Sequence, residues 1–405
     1  MVAVYHPFMR HGGGPAGWLY HLHSGLGAIG SAGICVVYDE CYTNVPNDKR
    51  GAVAAYKKLL PIYDKIFKSG IPSPFMDGIF LLKDYIIAHR MQLRLQSLLA
   101  RLYSRGEHVI HLQSTGFMYG LSRIDKEHDW TRILTSHPPI PAYLEIAHYY
   151  IDSGRRTPPK WVAFRRKVDI TAFNEADYIL TPSLSALEAY FFDRDISRAI
   201  SDKIDTDSII FVPTGVVRPQ VHVSRESVRE KYRWDGKIVV GYFGRRCFDK
   251  GFDIFQQVAE MVTSEDPSRF VFVSTGKGPY SARAPVFDLG WVDNVYDIIN
   301  AVDLVVLPNR FSFYDLVAIE SIATGTPILT SDRGGNKDIA SSVPGGFVCD
   351  ISPECFSEQI LKYGDLSDAK RNKLRMGNIS KYEQFFTAES FAERYYHSLD
   401  SYGLL

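Results

Sequence analysis

The sequence predicts an α/β protein of two doubly wound domains facing each other across a cleft. Three observations carry that expectation. The chain has 405 residues, and single cores stop growing near about 250–300, so a chain of this length divides. Short apolar runs rich in β-branched residues alternate with longer amphipathic stretches from end to end, the pattern of a buried parallel sheet with crossover helices. The cycle halts near 213–236, at Pro213-Thr214-Gly215, Pro219 and a charged segment, and then restarts.

The first set of strands is expected at 2–5, 33–38, 108–112, 132–136, 178–182 and 209–213. Each is short and apolar and ends in Gly, Pro, His, Ser or a comparable breaker. Helices are expected at 16–26 and 81–103. The second set is expected at 238–243, 270–274, 304–308, 327–331 and 346–348, with helices at about 252–263, 295–300 and 316–324. The linker falls at about 215–225. The resulting units are an N-terminal domain over 1–218, a C-terminal domain over 219–381, and a last helix in 382–405 that packs back on the first domain. In facing sheets of this kind ligands bind at the C-terminal strand ends, so chemistry-bearing motifs are expected there.

Composition narrows the function. Lys and Arg number 46 and Asp and Glu 46, so the formal net charge is zero. A dedicated nucleic-acid binder needs a cationic surplus to displace phosphate counterions, so no nucleic-acid partner is expected. With 45% hydrophobic residues the chain can fill both cores, which excludes disorder as its main state. Five unpaired-looking cysteines, no apolar run long enough to span a bilayer and no secretion signal at the start predict a cytoplasmic protein. Any membrane contact is expected to be peripheral, at the inner face.

Several motifs carry little. Gly25-Leu26-Gly27-Ala28-Ile29-Gly30 matches G-x-G-x-x-G but follows a helical stretch and precedes a strand, so it reads as a helix C-cap and turn. Asp193-Arg194-Asp195 and Asp205-Thr206-Asp207 do not follow strands and read as solvated loops. The Asn378-Ile379-Ser380 sequon has no meaning in a cytosolic chain.

Three constellations carry chemistry. Gly12-Gly13-Gly14-Pro15 lies after the first strand and before a helix. Its backbone can approach a ligand closely, and the helix offers free N–H groups to an anion. In the second, a strand ends at Phe243, Arg245 stands at its tip and Lys250-Gly251 opens the next helix. Arg and Lys converging there make a diphosphate clamp. In the third, a helix begins near Asp315 and carries Glu320 on an otherwise apolar face. Its first N–H groups suit phosphate or sugar oxygens, and the carboxylate suits a ribose diol.

Taken together, the Gly-rich loop, VPTGV at 212–216, GR-x4-KG at 244–251, LGWVDN at 289–294 and the helix motif with its trailing G-T-P and G-G resemble family 4 glycosyltransferases of the GT-B, paired Rossmann-like fold. The resemblance covers nearly the whole chain. It implies retaining transfer of a sugar from a nucleotide diphosphate donor, with a UDP-sugar favoured, to a glycan, lipid-linked or protein acceptor. It implies no metal and no cofactor apart from the donor itself. By the same resemblance Arg245 and Lys250 hold the diphosphate and Glu320 the ribose. The segment at 290–292, with Trp291 and Val292, holds the base, and Tyr314, Asp315 and Leu316 hold the phosphate and sugar, beside Gly13 and Gly14. The resemblance makes the first domain the acceptor side of the cleft and the second the donor side. Two departures stand out. A usual glutamate is Ser312, and a usual glycine is Asp315. Asp315 either takes over part of the sugar binding or caps its helix.

For a hydrogen-bond donor to the reacting centre, histidines at strand ends of the first domain are the candidates. His137, presented by Pro138 and Pro139, resembles the family's active-site histidine, and His111 is the second choice. The segment 155–167 holds six cations among Trp161 and Phe164. It reads as a solvated loop, or else as an acceptor or membrane-surface patch. A non-catalytic partner protein and a sugar-nucleotide epimerase of the same fold are the rival functions.

Overall fold

The computed structural model describes residues 1–38, 77–79, 81–82, 96, 99, 102, 108–124, 129–152, 154, 157–290 and 292–405. Most of the expected helix at 81–103, and Trp291, lie outside them.

Apolar β-branched runs form two six-stranded parallel sheets. The first contains β1 (Val2–Tyr5), β2 (Ile34–Val37), β3 (Val109–Leu112), β4 (Thr131–Leu134), β5 (Tyr178–Thr181) and β6 (Ile209–Phe211), in the order β2-β1-β3-β4-β5-β6. The second contains β7 (Ile238–Phe243), β8 (Phe270–Thr275), β9 (Val286–Asp288), β10 (Leu304–Leu307), β11 (Ile328–Ser331) and β12 (Gly346–Cys349), in the order β12-β11-β10-β7-β8-β9. Both orders reverse direction beside their first strand, which opens a crevice at the C-terminal strand ends. Every residue of β1, β3, β7 and β10 is buried, which is why these strands lack a polar face. β9, three residues long after Pro285, has too short a pattern to announce itself.

The first domain's helices include α1 (Gly14–Ile29), α2 (Thr115–Ile124), α3 (Ala142–Asp152), α4 (Pro159–Glu175) and α5 (Arg194–Asp205), with a 3-10 turn at Ser185–Phe192. Those of the second are α6 (Arg225–Tyr232), α7 (Phe252–Glu265), α8 (Val295–Ala301), α9 (Leu316–Ala323), α10 (Gly335–Ser341), α11 (Pro353–Gly364) and α12 (Asp368–Lys381). A π-helical turn, Tyr382–Phe386, leads into α13 (Ala388–Ser401).

Two readings need correction. Residues 159–167 are not a loop: they belong to α4, whose Trp161 is 3% exposed and whose Val168, Ala172 and Phe173 enter the core. Arg166 of this segment is committed to Asp193 at 2.7 Å and to Asp195 at 2.6 Å. Asp193 also caps α5, accepting from the N–H groups of Asp195 and Ile196, so this acidic triplet is a structural joint rather than a solvated loop.

The G-x-G-x-x-G stretch lies inside α1 and at its end. Gly30 is the left-handed C-cap, with φ 64°. Gly25 sits where α13 crosses, and a Cβ there would meet the Ala388 carbonyl oxygen at 2.0 Å. That close approach lets Trp18, Phe391, Tyr395 and Leu399 form one buried cluster against the first sheet. The chain therefore returns from the second domain to the first, and Val216 N–H donates to Phe386 O beside the crossing. Gly25→Ala is expected to lower stability by about 1–3 kcal/mol through overpacking. That loss outweighs the roughly 1 kcal/mol that alanine gains in a helix. Thermal denaturation reads it, and an unchanged or raised melting temperature would show that α1 and α13 separate freely.

Candidate active site

The C-terminal strand ends of both sheets enclose a cleft of about 980 Å³. From the first domain it is lined by Gly13, Gly14, Gln113, Ser136, His137 and Glu145, among others. From the second it is lined by Arg245, Lys250, Asn309, Asp315, Leu316 and Glu320. The Gly-rich loop follows β1 and opens α1. A Cβ added at Gly13 or Gly14 would meet only open space, so this backbone borders the cleft without being packed shut.

Arg245 stands just past β7. Its Nη2 donates to Glu145 Oε1, on α3 of the other domain, at 2.7 Å. Burial works against its charge, and Glu145 more than offsets this, raising the guanidinium further. Lys250 is placed by the turn at Gly251, which has φ 64° and whose Cβ would lie 1.8 Å from Pro308 O. Only glycine lets the loop press so close to the end of β10. Lys250 Nζ donates to both oxygens of Asp315, at 2.7 and 2.8 Å.

Asp315 does not cap α9 with its side chain. Its carboxylate accepts instead from Lys250 and from the Nδ2 groups of Asn309 (2.6 Å) and Asn336 (3.1 Å). Burial alone would raise this carboxyl, but Lys250, Asn336 and Asn309 hold it below the usual carboxylate range. Ser312, 2% exposed, does not line the cleft. Its hydroxyl donates to Arg333 O at 2.6 Å and accepts from Asn336 N–H. The two departures from the family pattern thus have different fates: Ser312 ties loops together, while Asp315 puts a carboxylate in the cleft against Lys250.

Glu320, one turn into α9, is 8% exposed. Burial raises its carboxyl to about 7, opposed by a hydrogen bond from Tyr296 Oη at 3.0 Å. Tyr296 also lies 3.3 Å from His11 Nε2, in the Gly-rich loop of the other domain. Between pH 4.5 and about 7 the folded protein holds a proton here that the unfolded chain has lost, so stability falls as pH rises through that window. Glu320→Gln removes the effect. The variant is expected to be more stable than the parent at pH 8, by up to about 3 kcal/mol, and no more stable at pH 4.5. Melting curves at the two pH values check this, and a parallel pair of pH profiles would refute it.

His137 follows β4 and faces the cleft, with Nε2 2.5 Å from Gln113 Oε1 and its ring against Trp18 and Phe313. Burial, then the neighbouring His6 and His111, push it well below the usual histidine range, so it is neutral. His111 is not a cleft residue. It is fully buried, with Nδ1 2.8 Å from Tyr395 Oη of α13 and Nε2 2.8 Å from Thr135 Oγ1. Gln113 Nε2 lies 3.1 Å from His111 Nε2, so one amide joins the two histidines.

The remaining candidates are dispersed. Tyr314 is buried with its ring against Gly335, and neither it nor Val292 lines the cleft. Trp291 lies outside the described residues. The adjoining Gly290 donates its N–H to Asp288 Oδ1 at 2.8 Å, and the buried Arg246 grips the same carboxylate. Sequence reasoning missed Arg246, Gln113, Tyr296 and Glu145. The available signal for Glu145 was its spacing with His148 and Asp152, which puts all three on one face of a helix.

Comparison with known proteins agrees with this architecture. Residues 237–364 match the family model described as "Glycosyl transferases group 1", and the chain carries that domain. It is 26% identical over 137 residues to mannosylfructose-phosphate synthase of Agrobacterium fabrum, covering 29% of this chain and 30% of that protein. It is 22% identical over 253 residues to the GDP-mannose-dependent alpha-(1-6)-phosphatidylinositol dimannoside mannosyltransferase of Mycobacterium tuberculosis, covering 59% and 61%. The matches thus span from under a third to three fifths of these curated relatives. Sucrose-phosphate synthase from Thermosynechococcus elongatus superposes with a TM-score of 0.61 at 16% identity, over 99% of each chain. The fold is GT-B, shared with known glycosyltransferases.

Proposed function

We propose that the chain is a retaining glycosyltransferase that takes a sugar from a nucleotide diphosphate donor, with UDP-sugars the favoured class. Its acceptor is a glycan, a lipid-linked sugar or a protein. One observation carries this reading: Arg245, Lys250 and Glu320 share a cleft with a neutral strand-end histidine. Arg245 and Lys250 exchange their carboxylate partners for the diphosphate and neutralise it as it leaves. Glu320 accepts from the ribose hydroxyls once ionised. His137 releases its Nε2–H from Gln113 Oε1 and donates it near the donor sugar as charge shifts toward the leaving oxygen. The acceptor hydroxyl attacks on the face the diphosphate leaves, and a departing phosphate oxygen takes its proton. The new bond then has the configuration of the old one, and no protein nucleophile is needed.

Ser312 in place of a carboxylate favours a second reading, a non-catalytic donor-binding partner protein. An epimerase would release an isomerised sugar instead of extending an acceptor. Thermal-shift titration with UDP, GDP, UDP-glucose and GDP-mannose tests the donor site, since a ligand of the folded state raises the melting temperature by mass action. No shift with any of them would end this reading. The cationic clamp also predicts that activity survives EDTA. Complete loss on chelation, restored by manganese, would assign charge neutralisation to a metal instead.

A further inference from the structure

Glu145 is the one carboxylate that the first domain contributes to the lining of the cleft among the described residues. Its recorded partner is Arg245, which the proposed donor diphosphate would claim. Glu145 cannot simply follow the arginine away. Two residues of the same α3 face pin the helix to the second domain by other bonds. His148 Nδ1 lies 2.8 Å from Asp249 Oδ1, and Asp152 accepts from Phe248 N–H at 3.0 Å and from Tyr280 Oη at 3.3 Å. With Arg245 turned to the diphosphate, a carboxylate is left facing the acceptor side of the cleft.

Its neighbours there do not replace the lost cation. Gln113, Ser114, Thr115 and Ser136 are uncharged. His6 and His137 are both held below the ordinary histidine range, chiefly by burial, and stay neutral. His148, on the same helix face, is raised instead, first by its bond to Asp249 and in lesser part by Glu145, but its ring is committed to Asp249. A half-buried carboxylate in this setting needs N–H or O–H donors and repels an anion.

Resting on the proposed donor reading, we propose that Glu145 is the acceptor-binding carboxylate. It takes hydroxyl or ammonium groups of a sugar that bears no phosphate at this position. Neutral sugars and amino sugars share the required chemistry, and phosphorylated sugars are disfavoured by the same charge.

The test uses the full chain saturated with UDP, or with GDP if that binds better, and ligand-observed NMR titrations of glucose, glucosamine and glucose 6-phosphate. The expected result is binding of glucose or glucosamine, with glucose 6-phosphate at least about tenfold weaker. Glu145→Gln keeps the shape and removes the charge. It should weaken the preferred sugar about tenfold, as expected for a lost charge-assisted hydrogen bond, and narrow the gap to the phosphate ester. Three outcomes overturn the proposal: glucose 6-phosphate binding better than the parent sugar, no binding by any of the three, or a ranking unchanged in Glu145→Gln. Nucleotide affinity is measured on the same samples. Its absence in the parent protein would sink the donor reading, whereas normal nucleotide binding beside a failed sugar result would sink only the assignment of Glu145.

Discussion

His137→Ala is expected to lower kcat about 10²- to 10³-fold while leaving the Kd for nucleoside diphosphate nearly unchanged. The imidazole lines the cleft at the end of β4, and Pro138 and Pro139 restrict the backbone that presents it. It is held neutral, so in the proposed mechanism it serves as a hydrogen-bond donor, through the N–H now facing Gln113 Oε1, and not as a standing cation. A preorganised donor of this kind matters most when charge develops, so its loss falls on the chemical step. Activity should accordingly show no histidine titration on the acid side. A decline as pH falls through about 7 is expected instead, from protonation of Glu320, and Glu320→Gln should abolish that limb. Steady-state kinetics from pH 6 to 9 separate these. A His137→Ala variant with parental kcat and a lowered melting temperature would make the residue a packing element.

Lys250→Ala should fail in two ways at once. The side chain is paired with Asp315 in a largely buried setting. Removing one member of a buried pair strands the other, at a cost of about 3–5 kcal/mol, here eased by Asn309 and Asn336. The stranded carboxylate also repels the incoming diphosphate. Nucleoside diphosphate affinity should therefore fall at least ten- to a hundredfold, together with a drop of several degrees in melting temperature. Adding Asp315→Asn should restore most of the stability and only part of the affinity. If the single variant binds nucleotide as the parent does, Lys250 is a structural partner of Asp315 and not part of a clamp.

The strands were legible because a parallel strand buried on both faces must be an uninterrupted apolar run, and eleven such runs stand out between breakers. Several expected ends overran by a residue or two at Gly33, Ser136, Pro182, Pro213, Pro308 and Pro327, while those at Thr131, Thr275 and Cys349 fell one residue short. α4 was illegible because its cations and apolar residues alternate without a clear helical stripe, and its inner face is revealed by the burial of Trp161, Val168, Ala172 and Phe173. Arg245, Lys250 and His137 could be picked out because each stands in sequence beside a strand end or a glycine turn, and Glu320 because it is the one carboxylate on an otherwise apolar helix. Their partners could not. Glu145 is 100 residues from Arg245 and in the other domain, so that pairing exists only after the two domains face each other, while Lys250 and Asp315, 65 residues apart, meet only once the second domain's own strand ends are brought side by side. His111 misled for the same reason. It lies inside β3, not past its end as His137 does past β4, and α13, arriving from the far end of the chain, covers it with Tyr395.

The most direct test of the account is isothermal titration of UDP and GDP into the parent protein and into Arg245→Ala. Arg245 is half exposed, and among the described residues its side chain is paired only with Glu145 across the cleft, so its removal should leave the fold intact. The account predicts that the parent binds at least one nucleotide and that Arg245→Ala binds it ten- to a hundredfold more weakly. Equal affinity in both proteins, or no binding by the parent, would contradict the claim that this cleft holds a nucleotide diphosphate.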